Sequence, residues 1–321
     1  MRRLLPVVLL VALVAPATAV GVLTPGRTVT NAAGVTALSV THRSVVFAVG
    51  RTKRNCGSVR LWDTATRGLW TFGERTLRGC AEGPSGGFGI SQVSTSGHRA
   101  FWVTHIGGNF TDYQLWTATS TRRAPRRLAF ESSESDGPRA IALGTGSQEG
   151  VPYAVGSTVT YVGHDGARLF RVTLPAPVRL LTTGIVGRPA GRVLAALTDG
   201  KVVLLSKTGS VVSMDEYPPD SVRAMALALT GPVVQVGASV TVDAGTEVAL
   251  PTGALMLDYR QRAIVYRKGT QVRMRHVGTG ADTLLQSIPI KPWQPMLFST
   301  DSWGSAWAKG PAVSWRSGPL R

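Results

Sequence analysis

The chain has 321 residues, of which 43% are hydrophobic and 17% charged, with 37 glycines, 19 prolines and two cysteines. That composition supplies a large core and excludes a disordered chain, a collagen-like fibre and a disulfide-knotted miniprotein. Thirty-five Lys and Arg against 18 Asp and Glu leave a formal charge of +17, which favours polyanions or anionic envelope surfaces as partners.

The first element in the chain is a leader. Arg2 and Arg3, an apolar run from Leu4 to Val14 and the small-x-small triplet Ala17-Thr18-Ala19 predict a signal peptide over 1–19, cleaved near Ala19. The apolar run is shorter than the ~20 residues of a spanning helix, although an uncleaved leader would still act as an N-terminal anchor. Residues 20–321 are then one domain, secreted or associated with the cell envelope, with no membrane span after signal removal. Loss of Arg2 and Arg3 lowers the charge to +15, and only six basic residues are lysines, so Arg carries the excess. Arg, Ala, Gly and Val richness also fits GC-rich codon usage.

Cys56 and Cys80 form an even pair in a chain read as exported, the setting in which a disulfide persists. Closing that loop would add about 3.5 kcal/mol in the chain-entropy picture. No helical period follows residue 34; short Val, Ala, Leu and Trp runs alternate with Gly, Thr, Asp and Ser turns, which predicts an all-β chain. Runs of an Arg followed by an apolar strand recur at 43–49, 99–105, 192–198 and 262–268. Each follows an earlier strand, such as 35–40, 90–95 or 254–259, and precedes a third and fourth, such as 59–64 with 69–74 and 113–118 with 126–131. Four strands recurring every few tens of residues predict a β-propeller of four-stranded antiparallel blades.

Seven blades fit best, with the first strand of the fourth taken from 178–186 and the last blade lacking a fourth strand at the C-terminus. The β-like segment 22–30 is predicted to supply it, which closes the ring and removes the exposed edges of an open array. Six blades is the alternative if the fourth and fifth groups form one irregular unit.

The repeats resemble those of TolB-type and WD-repeat-like propellers, best in STSGHRAFWVTH (94–105), YQLWTATS (113–120) and APRRLAF (124–130). The resemblance implies the fold and export more than an activity, because propellers host unrelated functions. The family's Pro-Asp-Gly turn is replaced by Thr-His, Ser-Gly-His or Arg-Gln, and no α/β or hydrolase domain accompanies the ring. VRLWDTATRGLWTF (59–72) also resembles a quinoprotein blade, but Gly68 is displaced, and Asp63, Thr66 and Trp70 are read as turn and inter-blade packing residues. STDSWGSAW (299–307) is similar to the Asp box of sialidase-like propellers, a turn-forming element, with one extra residue before Gly304. Asn109 heads a glycosylation-type triplet.

Ring topology sorts the charges between two faces. One receives Arg43, Arg99, Arg192 and Arg262 from the first turn of their blades, with Arg67, Arg122, Arg123, Arg126, Arg127 and Lys207 from third turns, a predicted basic rim. The other receives both cysteines and, on crossovers near the channel mouth, Glu82, Glu131, Glu134, Asp136, Asp215, Glu216 and Asp220. Those carboxylates are either solvated loop charges or a calcium or carbohydrate site. The five histidines show no zinc spacing, and no cofactor is predicted unless calcium sits on the carboxylates. No nucleophile elbow, phosphate loop or nucleic-acid motif is present, so nucleic acid is not an expected partner.

The leading expectation is an exported, non-catalytic propeller that binds a partner protein or an anionic envelope polymer. The alternative is a propeller hydrolase or lyase acting on a sugar or lactone through the crossover carboxylates.

Overall fold

A computed structural model describes residues 23, 25–50, 57–73, 88–107, 110–134, 141–184, 191–242, 245–289, 297–318 and 320. Among them the chain forms 28 strands in seven antiparallel sheets of four, and no helix. Blade I holds β2 (Val35–Thr41), β3 (Ser44–Val49), β4 (Ser58–Asp63) and β5 (Leu69–Phe72). Blade II holds β6 (Phe88–Ser96), β7 (Arg99–Ile106), β8 (Phe110–Thr119) and β9 (Arg126–Glu134). Blade III holds β10 (Ile141–Leu143), β11 (Gly150–Val155), β12 (Thr158–Gly163) and β13 (Arg168–Thr173). Blade IV holds β14 (Val178–Thr183), β15 (Val193–Leu197), β16 (Lys201–Leu205) and β17 (Val211–Glu216). Blade V holds β18 (Val222–Leu227), β19 (Pro232–Val236), β20 (Ser239–Val242) and β21 (Thr246–Ala249). Blade VI holds β22 (Leu255–Arg260), β23 (Ala263–Lys268), β24 (Gln271–His276) and β25 (Asp282–Ser287).

Blade VII combines β26 (Phe298–Thr300), β27 (Gly304–Lys309) and β28 (Ala312–Ser317) with β1 (Arg27–Thr30) from the other end of the chain. The register Arg27↔Trp315 to Thr30↔Ala312 completes the sheet. Seven blades closed by an N-terminal strand is therefore the architecture, and the six-blade alternative falls because blades IV and V are separate four-stranded sheets.

Position within a blade dictates composition. In β15, Val193, Ala195 and Leu197 pack toward blade III while Leu194 and Ala196 pack toward blade V, so every residue of the strand is buried. A strand covered on both faces reads as a continuous apolar run, as the second strands do here. Outer strands have a wet side: β17 is exposed along most of its length. The core is thus divided among the seams between blades, each with its own apolar cluster.

Inner strands are bent by bulges at matching places. In β2, β6, β14, β18 and β22 the register to the second strand skips one residue, which increases local twist and curves these strands around the axis. Second-to-third turns of blades III, V, VI and VII begin with a glycine at φ of 56–59° (Gly156, Gly237, Gly269, Gly310), the backbone a two-residue hairpin demands.

Candidate functional site: the basic face

First turns of all seven blades and third turns of blades I to VI emerge on one face. The structure places Arg43 and Arg262 in first turns, Arg99 at the start of β7 and Arg192 just before β15. Arg67, Arg122, Arg123 and Lys207 lie on third turns, with Arg126 and Arg127 as the first residues of β9. All of these except Arg99 are exposed. The exposed carboxylates on the described turns of this face are Glu149 and Asp165, with Glu247 exposed as the second residue of β21, the place Arg127 has in β9.

One part of the face is built rather than merely charged. Arg99 reaches from blade II to the third turn of blade III, donating Nε to the His164 carbonyl (2.9 Å) and Nη2 to the Asp165 carbonyl (2.7 Å). Arg126 donates to the adjacent Gly166 carbonyl at 3.5 Å. Gly166, at φ +91°, leaves room for this: a Cβ there would lie 2.7 Å from Nη2 of Arg99. Burial, then the like charges of Arg126 and Arg122, hold the Arg99 pKa below its usual range, with Asp165 opposing. Arg99 with the like charges of Arg122 and Arg126 beside it forms a local excess of positive charge that an anion would relieve.

The motif residues are turn elements. Asp63 Oδ1 accepts the N–H of Ala65 (2.8 Å) and of Thr66 (3.2 Å). Partial burial acts to raise its pKa, but these hydrogen bonds hold the carboxyl below its ordinary value. Trp70 packs against the blade I–II cluster. Asp301 Oδ1 likewise accepts Trp303 N–H (2.8 Å) and Gly304 N–H (3.0 Å), so the Asp-box-like segment makes the first turn of blade VII.

The carboxylates are arranged differently from the expectation. Glu131 and Glu134 belong to β9, and Asp215 and Glu216 to β17, so these four sit on outermost strands and not on crossovers. Glu131 already falls inside the fourth-strand run 126–131, and β9 continues past it to Glu134; Asp215 and Glu216 close β17, where ladder pairing (Lys201↔Glu216, Val202↔Asp215) tolerates polar residues at a solvated edge. That puts these four residues at the ring's perimeter, away from the channel. Asp220 is on the blade IV–V crossover, where it pairs with Arg179 at 3.7 Å. Glu82, Asp136, the cysteines Cys56 and Cys80, Asn109 and the leader 1–19 lie outside the described residues. Among the described residues no three His, Cys, Asp or Glu side chains group as a metal site, and no helix is long and apolar enough to cross a membrane.

All seven inner segments line a central cavity of about 340 Å³. Its carboxylate, Asp258, is ion-paired with Arg260 and accepts the Tyr259 N–H at 2.8 Å. Burial raises the Asp258 pKa while Arg260 opposes. At the basic-face end the blade III loop 144–149 crosses to blade I: Thr41 Oγ1 donates to the Gly146 carbonyl (3.2 Å), and Gln148 Nε2 meets His42 Nδ1 (2.7 Å). Other lining groups join neighbouring blades, as in Thr145 with Thr182 (2.7 Å) and Val40 N–H with Ser299 Oγ (3.1 Å).

Two residues of this face carry no signal in the local sequence pattern. Arg27 and Trp303 are 276 positions apart, yet ring closure brings them to the rim of one groove, 750 Å³ in volume, over the blade VII–I seam.

No protein-family model matches the sequence, and no curated protein matches it. Solved structures do match in shape. A chain from a crystal structure of the mitotic checkpoint complex superposes with a TM-score of 0.56 at 12% identity, covering 99% of each chain. The Pan2 WD40 domain of Neurospora crassa superposes at 0.50 with 10% identity, covering 94% of this chain and 98% of that one. Sqt1 of Saccharomyces cerevisiae gives 0.48 at 10% identity over 91% and 98%. With its seven four-stranded blades, the chain has the fold of a WD-repeat-like β-propeller.

Proposed function

We propose that this protein is a non-catalytic interaction scaffold, exported under its N-terminal leader, that engages an acidic partner protein or an anionic envelope polymer through the basic face. The observation that carries this reading is the Arg99, Arg122 and Arg126 cluster, in which Arg99 and Arg126 are held by carbonyls of blade III and which is opposed on the described turns of its face by only Glu149 and Asp165. A fold neighbour drawn from a multi-protein complex supports scaffold use of such a ring.

The test is charge reversal at Arg122, Arg123, Arg126 and Arg127 to Glu, all exposed, with retention on an anionic matrix measured against salt. Retention is expected to weaken, and the logarithmic salt slope to become shallower, because fewer counterions are exchanged on binding. Retention equal to that of the parent at every salt concentration would overturn the reading.

A further inference from the structure

The groove over the blade VII–I seam is a second feature of the basic face. It encloses about 750 Å³, within the size range of small-ligand pockets, and Arg27, Arg43, Trp303, Trp315, Thr64 and Ser302 line it with no carboxylate among the lining residues.

Arg43 is held without spending its hydrogen bonds. Its guanidinium lies 5.3 Å over the Trp303 ring, and His42 packs edge-on to the same indole at 4.4 Å. Gln148 anchors His42, and Asp301 fixes the turn that carries Trp303. Among the described residues no carboxylate is ion-paired with Arg43 and its side-chain N–H groups have no hydrogen-bond partner. Arg27 donates once, to the Ala65 carbonyl at 3.3 Å. A planar fork fixed on an aromatic surface is arranged in advance for two parallel bonds to a carboxylate.

The backbone around the groove is already used. Gly26 N–H bonds the Trp315 carbonyl (2.9 Å), Thr64 N–H the Arg43 carbonyl (2.9 Å) and Gly318 N–H the Trp303 carbonyl (2.7 Å). An extended peptide would find none of these main-chain groups open for strand addition. Recognition is left to guanidiniums, the exposed Trp303 indole and the exposed hydroxyls of Ser302 and Ser317, because the buried Thr64 hydroxyl already donates to the Arg43 carbonyl (2.8 Å). That set matches a ring bearing one carboxylate and several hydroxyls.

We infer that the seam groove binds an acidic saccharide, its carboxylate on Arg43 and Arg27 and its hydroxyls on the Ser302 and Ser317 side chains. The site shares only Arg43 with the arginine rim and does not depend on the rim's being used. The probe is digalacturonate, titrated calorimetrically into the purified protein, with the neutral disaccharide lactose as control.

Saturable binding of digalacturonate without binding of lactose is expected. Arg43→Gln and, separately, Ser317→Trp, which fills the groove without removing charge, should each weaken binding by about tenfold or more. Circular dichroism melts establish that both variants fold, and either folded variant suffices. The Arg122→Glu/Arg126→Glu variant should bind digalacturonate like the parent, which separates this site from the rim. Three results would overturn the inference: no saturation by about 10 mM, parental affinity in the folded variants, or equal competition by a capped Glu-Glu dipeptide.

Discussion

Asp301 holds the first turn of blade VII through Oδ1, while its Oδ2 is buried with no hydrogen-bond partner. Burial pushes its pKa from 3.8 up to about 6, against the Trp303, Gly304 and His42 N–H groups and the charge of Arg260. A carboxyl with a raised folded pKa favours the fold fully below the unfolded value, and that contribution is lost as pH rises through the folded value. For Asp301 the window runs from 3.8 to about 6, and the loss amounts to about 3 kcal/mol. Asp301→Asn is therefore expected to flatten the fall in thermal midpoint between roughly pH 4 and pH 7. Melts of variant and parent that run parallel across that range would contradict this assignment. Arg99 shows the same dependence on context, since its reach to blade III rests on an opposite residue, Gly166, that has no side chain.

Between elements, two glutamines join blades in the same way. Gln92 on β6 accepts the Leu143 N–H (2.8 Å) and donates to the Ile141 carbonyl (3.2 Å) of blade III. Gln235 on β19, fully buried, accepts the Met256 N–H (2.7 Å) and donates to the Ala254 carbonyl (3.0 Å) at the start of blade VI. Each satisfies one N–H and one carbonyl of the next blade's inner segment, groups that would otherwise be buried without partners. Gln235→Leu keeps the volume and removes both inter-blade bonds together with a third to the Gly237 carbonyl (2.9 Å), so a loss of about 2–4 kcal/mol is expected in urea unfolding. A midpoint unchanged from the parent would show that water or backbone movement replaces the clamp. Outer strands carry no such burden, and for that reason they accept the acidic residues of β9 and β17.

For the whole molecule, closure is the element on which the ring depends. β1 pairs with β28 over four residues, Val29 packs into the blade VII–I cluster, and Leu23 is buried in the blade VI–VII cluster with its N–H on the Leu285 carbonyl (2.9 Å). Removing residues up to Thr30 exposes the outer edge of β28 and opens both seams. The truncated chain is expected to lose its sharp thermal transition and to self-associate through that edge, seen by light scattering. A monomer melting at the parental temperature would show that the ring holds without its N-terminal strand. The charge asymmetry also exists only at this scale, because it comes from turns distributed around the ring.

The strand repeats and the Arg placed ahead of second strands were legible in the amino-acid sequence because they depend on neighbours one to four residues away: alternation, turn chemistry and continuous apolar runs. The blade count followed from the same periodicity, and the orphan segment before residue 30 was recognisable as the missing strand. The position of the carboxylates was only partly legible: the run 126–131 already holds Glu131, but a polar residue at the end of a solvated outer strand reads like the start of a crossover, and ladder pairing is what carries β9 on to Glu134 and keeps Asp215 and Glu216 in β17. Neither was the seam groove, whose Arg27 and Trp303 come from opposite ends of the chain and meet when β1 docks on β28. Residue pattern and turn chemistry determined that this chain makes seven similar sheets. Closing those sheets into a ring, a matter of long-range packing and unpaired edges, decided which side chains face one another.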